Sequence, residues 1–106
     1  NNNADGTFVY TGFKPAWVMV KCISTSGQNW VILDNKREGF NPDNDRLYAD
    51  STTTESDTDV ADLLSNGFKH RFTGNTTNGS HTYIYMAFAQ EPIIANVGNG
   101  IPATAR

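Results

Sequence analysis

The chain alternates short apolar segments with polar ones, and this alternation limits it to an all-β fold. The apolar segments are three to seven residues long, are rich in β-branched and aromatic residues, and are bounded by turn-forming residues, as β-strands are. Asn, Thr, Gly and Ser, which weaken helix interiors, make up 39 of the 106 residues. We therefore predict an antiparallel β-sandwich of jelly-roll type. The predicted strands are Phe8–Tyr10, Trp17–Ile23, Trp30–Asp34, Arg46–Ala49, Phe68–Phe72 and Tyr83–Ala89.

Turn signals separate these strands. Ser24–Asn29 joins two strong strands into a predicted antiparallel hairpin, and Asn66-Gly67 is a strong tight-turn signal. Val60–Leu64 fits either a short turn of helix or a further strand, so about seven strands are expected. Loops are predicted at Asn35–Asp45, Ser51–Asp59 and Gly74–His81, and a loosely packed tail at Ala95–Arg106.

Length and charge exclude several classes of protein. A chain of 106 residues fits one domain, and it buries roughly two-thirds of its unfolded surface without a disulfide or metal. We predict that residues 1–106 form this domain, as a processed product or an excised segment of a longer protein. The net charge of −3 argues against a protein that coats nucleic acid, and no apolar run approaches the ~20 residues that cross a bilayer. Cys22 is the only cysteine and is expected to be a buried thiol.

Alternation along the two strongest strands predicts the core. Side chains two residues apart share a face of a strand, so Val18 and Val20 form one apolar row. In the last strand, Ile84, Met86 and Phe88 form another such row. We predict that the residues of these two rows form the sandwich core.

The opposite faces of the same strands are also apolar. Trp17, Met19, Tyr83 and Tyr85 lie on them, where a solvated antiparallel sheet would be polar. Loops or the C-terminal tail would cover these side chains in one interpretation. In the other, a neighbouring subunit or domain covers them, because exposed apolar patches mark interaction sites. We take these four residues as interface candidates.

No pattern for catalysis or metal binding is complete. Asp43-Asn44-Asp45 resembles the start of a calcium loop, but Tyr48 and Thr54 occupy the positions where a calcium loop needs Gly and Glu. The further carboxylates of the acidic loops are Asp57, Asp59 and Asp62. We predict no catalytic residue, no cofactor and no bound metal, although calcium at the acidic loops stays open. A glycan-cleaving enzyme would need two facing carboxylates in a cleft.

A carbohydrate-binding module is a further candidate. Trp17, Trp30 and the tyrosines have the aromatic rings that stack on sugars. The competing interpretation of Trp30, in the middle of a hairpin, is that it fills the core. The chain lacks a row of aromatic residues separated by polar ones, so the signal is weak.

Several segments resemble virion proteins of tailed bacteriophages. The segment Phe8–Lys21 carries the resemblance most clearly. Further matching segments, in the expected order, are Trp30–Arg37, Leu64–Lys69, Tyr83–Ala89 with Glu91-Pro92, and Ile101–Arg106. In that family the domain usually ends a longer structural protein, often a tail fibre. The resemblance implies a sandwich similar to concanavalin-like lectin domains and brings no catalytic motif.

The expected function follows from this resemblance. We expect a non-enzymatic virion domain of a tail fibre or related appendage, which acts in assembly and in contact with the host surface. A head-decoration or capsid-fibre protein fits the same residues. The expected partners are further copies of the chain, with a trimer favoured, or other virion proteins, with a host-surface glycan as a further partner. Binding to nucleic acid and insertion into a membrane are not expected.

Overall fold

Eight β-strands form within the part of the chain that the structure describes. The computed structural model describes residues 1–37, 41 and 45–90, so the predicted tail Ala95–Arg106 lies outside the described residues. In chain order the strands are β1 (Phe8–Tyr10), β2 (Pro15–Cys22), β3 (Val31–Asp34), β4 (Asp45–Tyr48), β5 (Ser56–Asp57), β6 (Ala61–Leu64), β7 (Gly67–His70) and β8 (Tyr83–Ala89). Helix is absent from these residues, so none of them forms a helix that could span a bilayer.

The strands form two antiparallel sheets. One has the order β1-β7-β6, and the other has the order β5-β4-β3-β2-β8. The two sheets pack together, which confirms the predicted all-β sandwich. A jelly-roll or concanavalin-like connectivity stays a prediction. The sequence left Val60–Leu64 undecided, and the structure makes Ala61–Leu64 a strand.

Local sequence explains the two hairpins. Around the first, Val18 pairs with Leu33 and Val20 with Val31, so apolar side chains from both strands lie on one face. In the second, Leu64 pairs with Gly67 across a two-residue turn that includes Asn66. Gly67 is required there, because a Cβ at this position would lie 2.0 Å from the Val9 carbonyl oxygen. The predicted loop Ser51–Asp59 differs in one respect, since its residues 56–57 pair with β4.

The core lies between the sheets. The five-stranded sheet contributes its valines and a leucine from the central hairpin, and the three-stranded sheet contributes Phe68 and Leu63. The complete buried cluster is Val18, Val20, Val31, Leu33, Val60, Ala61, Leu63 and Phe68. Cys22 is also buried and free, as expected. This confirms the inward orientation predicted for Val18 and Val20.

The predicted orientation of the last strand is wrong. Ile84, Met86 and Phe88 are exposed, and Phe88 retains 57% of its accessible surface. In the register between β2 and β8, Val20 pairs with Tyr85, so the tyrosine row faces the core. Both rows of this strand are apolar, and alternation alone could not decide which of them turns inward. The pairing of β8 with β2 determines which row faces the core.

This orientation predicts stability losses of very different size when two phenylalanines are replaced by alanine. Phe68 is 1% exposed, so Phe68→Ala leaves a cavity and should lower the free energy of unfolding by about 3–5 kcal/mol. Phe88→Ala removes a half-exposed ring and should cost about 1 kcal/mol or less. Urea unfolding at low protein concentration measures both. Equal losses for the two variants would contradict the orientation of β8.

Candidate functional site

The structure separates the four predicted interface residues into two pairs. Trp17 and Met19 lie on the outer face of the five-stranded sheet, because they alternate with the buried valines of β2. Tyr83 and Tyr85 pair with Cys22 and Val20, which places the tyrosines on the inner face. The prediction that the four form one patch is therefore wrong. Each pair belongs to a different candidate site.

The first candidate site is an apolar patch on the outer face. We call it the outer patch and define it as Trp17, Met19, Ile84, Met86 and Phe88. Met19 pairs with Met86 across the strands, and the Trp17 and Phe88 rings pack with centroids 5.4 Å apart. The three β8 side chains are exposed. Contiguous exposed apolar surface of this kind marks an interaction site.

Trp30 extends this surface. Its side chain is exposed rather than in the core, and it lines a shallow groove beside Met19 and Met86. The Lys21 ammonium lies 5.9 Å from the Trp30 ring centroid. Cation–π contact of this kind holds an aromatic ring at the surface. The competing interpretation, in which Trp30 fills the core, is therefore wrong.

β8 is also an edge strand. It pairs with β2 on one side, and none of the other described strands pairs with its second edge. Its seven residues include no charged side chain and no proline, which are the usual devices that protect an edge from pairing with another chain. This edge adjoins the outer patch.

The second candidate site is a cavity of about 300 Å³ between the two sheets. We call it the inter-sheet cavity. Its walls combine aromatic, aliphatic and polar side chains from the N-terminal segment, β1, β2, β7, β8 and the loop of residues 74–82. The residues that matter for its chemistry are Val20, Phe68, His70, Thr77, Tyr83 and Tyr85.

A row of three rings crosses from one sheet to the other beside this cavity. The Phe68 ring makes an edge contact with His70, with centroids 5.5 Å apart, and another with Tyr85, with centroids 5.4 Å apart. Edge-to-face contacts are a favoured geometry for aromatic rings. Alternation along β7 places Phe68 and His70 on one face. Tyr85 comes from β8 and remains 48% exposed.

Backbone hydrogen bonds fix the position of His70, and burial of its imidazole favours the uncharged form. Its N–H donates to the Thr7 carbonyl at 3.0 Å, and its carbonyl accepts from the Gly6 N–H at 3.1 Å. The side chain is 5% exposed, and burial lowers the pKa of His70 from 6.5 to about 4. Its Nδ1 atom is buried without a hydrogen-bond partner. Such an atom costs about 1–3 kcal/mol unless something binds it.

The loop of residues 74–79 holds the second unsatisfied polar group. Asn78 is buried, and its amide donates to the Asn3 and Phe72 carbonyls, both at 2.9 Å. The Gly79 N–H donates to the Tyr83 hydroxyl at 2.6 Å, which ties the loop to β8. These bonds fix Thr77, which is 1% exposed and whose Oγ1 has no hydrogen-bond partner.

Sequence reasoning missed this site. The predicted loop Gly74–His81 is polar and was expected to be an ordinary polar loop, but Thr77, Asn78 and Gly79 are buried. Hydrogen bonds to distant segments bury it, and such contacts leave no local pattern. The available signal was His70, which alternates with Phe68 and Phe72 as a polar residue on an apolar face.

The acidic loops show no assembled metal site among the residues described. No group of three His, Cys, Asp or Glu side chains there could hold an ion. Asp45 and Asp57 pair directly across β4 and β5, while Asp43 lies outside the described residues. Asp62 accepts a hydrogen bond from Arg71 at 2.7 Å. The absence of a bound metal stays a prediction.

The low pKa of His70 predicts that stability falls in mild acid. The unfolded chain takes up a proton near pH 6.5 and the folded chain only near pH 4, so the unfolded state binds more protons between these values. The free energy of unfolding should therefore decrease by about 3 kcal/mol from pH 7 to pH 4 through this group. Urea unfolding across this range measures the decrease.

Two variants isolate the contribution of His70. His70→Gln should unfold with a flatter pH dependence, whatever its stability at pH 7. The matched control His81→Gln changes an exposed histidine and should retain the wild-type slope. A His70→Gln variant with the wild-type slope would show that His70 is not the buried neutral group.

The fold and its two surfaces define a β-sandwich domain with an inter-sheet cavity and an apolar outer face. A family model described as "Domain of unknown function (DUF7483)" matches residues 1–92, which include all eight of the described strands. The chain therefore belongs to the DUF7483 family. No curated protein and no solved structure is significantly similar to it.

Proposed function

We propose that the chain is a non-enzymatic structural domain of a bacteriophage virion, in a tail fibre or related appendage, and that it acts by assembling with further copies of itself. The outer patch is the observation that carries this proposal. The resemblance of the sequence segments to tailed-phage virion proteins supports the part of the proposal that concerns the virion. A head-decoration or capsid-fibre position would use the same surface.

A second copy of the chain is the occupant that the outer patch favours. The five patch residues are apolar and are flanked by one charge of each sign, because Lys21 pairs with Ile84 and Asp34 with Trp17, so the patch can pack against a copy of itself. Specific interfaces bury roughly 800 Å² per partner around a few large anchors, and Trp17, Met86 and Phe88 are side chains of that kind. None of the other described strands pairs with the second edge of β8, so this edge offers backbone groups that a second chain can satisfy.

Cyclic symmetry would close this assembly. A trimer suits a fibre, because three outer patches can face one three-fold axis and exclude water there. The small polar loops would then remain on the outside of the assembly. The domain would hold the chains of the appendage together through the apolar contacts buried at this axis.

Substitution at the centre of the outer patch tests the proposal. Met86→Glu places a carboxylate among apolar side chains and should weaken association by about 2 kcal/mol or more, which is a factor of about 30. The isolated fold should persist, because Met86 is exposed in the monomer. Sedimentation velocity over a range of concentrations measures the association, and circular dichroism checks the fold.

Tyr10→Glu is the matched control, since Tyr10 is exposed on the other sheet. This variant should assemble like the wild type. The proposal predicts a closed oligomer for the wild type and for Tyr10→Glu. A wild-type chain that stays monomeric, or a Met86→Glu variant that assembles equally well, would refute it.

A carbohydrate-binding module is the second candidate function. The observation that favours it is the inter-sheet cavity with its buried, unsatisfied polar atoms. This function is compatible with a virion appendage that contacts the host surface.

A further inference from the structure

We propose that the inter-sheet cavity binds one neutral sugar unit, either as a free monosaccharide or as the terminal residue of a glycan. The inference deepens the carbohydrate-binding function proposed above. It does not depend on assembly through the outer patch, because the cavity lies between the two sheets of one chain.

Two buried polar atoms point to a ligand. His70 Nδ1 and Thr77 Oγ1 belong to cavity-lining side chains that are more than nine-tenths buried, and neither atom has a hydrogen-bond partner. They come from different elements, β7 and the loop of residues 74–79. Buried polar groups are normally satisfied, so a pair left open at one cavity calls for a polar ligand.

The lining favours a neutral ligand. Among the described residues that line the cavity, no side chain is Asp, Glu, Lys or Arg. The Asn1 backbone nitrogen also lies at the lining, but it already donates to the Asn78 side-chain oxygen at 2.9 Å. Burial keeps the His70 ring uncharged at neutral pH, because its pKa lies at about 4. A carboxylate or phosphate would therefore enter without a charged side chain to pair with, and would lose its hydration.

The remaining walls suit a ring that has both hydroxyl groups and C–H faces. Phe68, Tyr85 and Val20 supply apolar surface, while the hydroxyl of Thr77 and the imidazole of His70 can exchange hydrogen bonds with hydroxyl groups. A sugar ring combines these two kinds of surface. Tyr85 and His81 are exposed at the lining, which leaves a route from solvent.

Volume limits the ligand to a single unit. A cavity of about 300 Å³ lies at the small end of the range for small-molecule sites. One sugar ring fits this space, whereas a longer glycan would have to extend into solvent beside Tyr85. The site would thus recognise an end of a glycan rather than the middle of a chain.

An NMR titration of the 106-residue chain tests the proposal. The probes are glucose, galactose, mannose and N-acetylglucosamine, with glucuronate as the charged comparison. At least one neutral sugar should shift the amide signals of residues 68–70 and 77–79 saturably, with a Kd of about 1–10 mM. Glucuronate should give no saturable shift. If a free monosaccharide binds but its methyl glycoside does not, the ligand is the free sugar rather than the terminal residue of a glycan.

Adjacent threonines provide matched variants. Thr77→Val removes the cavity hydroxyl at nearly constant shape and should raise the Kd about ten-fold. Thr76→Val is the control, because Thr76 Oγ1 donates to Gln28 Oε1 at 2.8 Å and does not line the cavity. Tyr85→Ala, at an exposed position, should also weaken binding even if Thr77→Val fails to fold.

Two results would overturn the inference. One is that none of the neutral sugars gives a saturable shift, which would mean that water alone fills the cavity. The other is that Thr77→Val and Tyr85→Ala bind as tightly as Thr76→Val. Neither result bears on the oligomeric state, so the assembly proposal would stand or fall separately.

Discussion

The antiparallel pairing of β8 with β2 is the interaction on which both candidate sites depend. This pairing runs from Cys22 opposite Tyr83 to Trp17 opposite Phe88. A shift of one residue would exchange the two faces of β8. The observed register places the tyrosines over the core and leaves Ile84, Met86 and Phe88 on the outer face.

The same register produces the inter-sheet cavity. The inner residues of β8 change from large to small along the strand, since Tyr85 contacts the Phe68 ring while Ala87 packs on the core. Tyr83 uses its hydroxyl to hold the loop of residues 74–79 through Gly79 and Asn75, with hydrogen bonds of 2.6 and 2.8 Å. Tyr83 packs against the core and, through its hydroxyl, also positions the loop that carries Thr77.

Much of the fold could be predicted from local sequence. Phe8–Tyr10 matches β1, and the hairpin of β2 and β3 carries Val18 and Val20 inward as expected. The inward face of β2 was predicted correctly because Val18 and Val20 form an uninterrupted aliphatic row, whereas the opposite row includes the charged Lys21. The orientation of β8 failed because both of its faces are apolar, so only tertiary pairing could decide it.

The candidate sites were less predictable than the fold. Trp17 and Met19 were correctly placed on a face away from the core, but their partners on β8 were not the tyrosines. The burial of Thr77 and Asn78 depends on hydrogen bonds from Asn78 to Asn3 and Phe72. Asn3 and Asn78 are 75 positions apart, and a contact across that separation cannot be inferred from the composition of a polar loop.

Nuclear Overhauser contacts across the sandwich test the central claim most directly. The account predicts cross-peaks between the Phe68 and Tyr85 rings, whose centroids lie 5.4 Å apart, and between the Met19 and Met86 methyl groups on the outer face. The contact between Phe68 and Tyr85 lies within one chain, so it should also be seen in the monomeric Met86→Glu variant. Cross-peaks from Phe68 to Ile84 or Met86 in place of Tyr85 would contradict the register and, with it, both candidate sites.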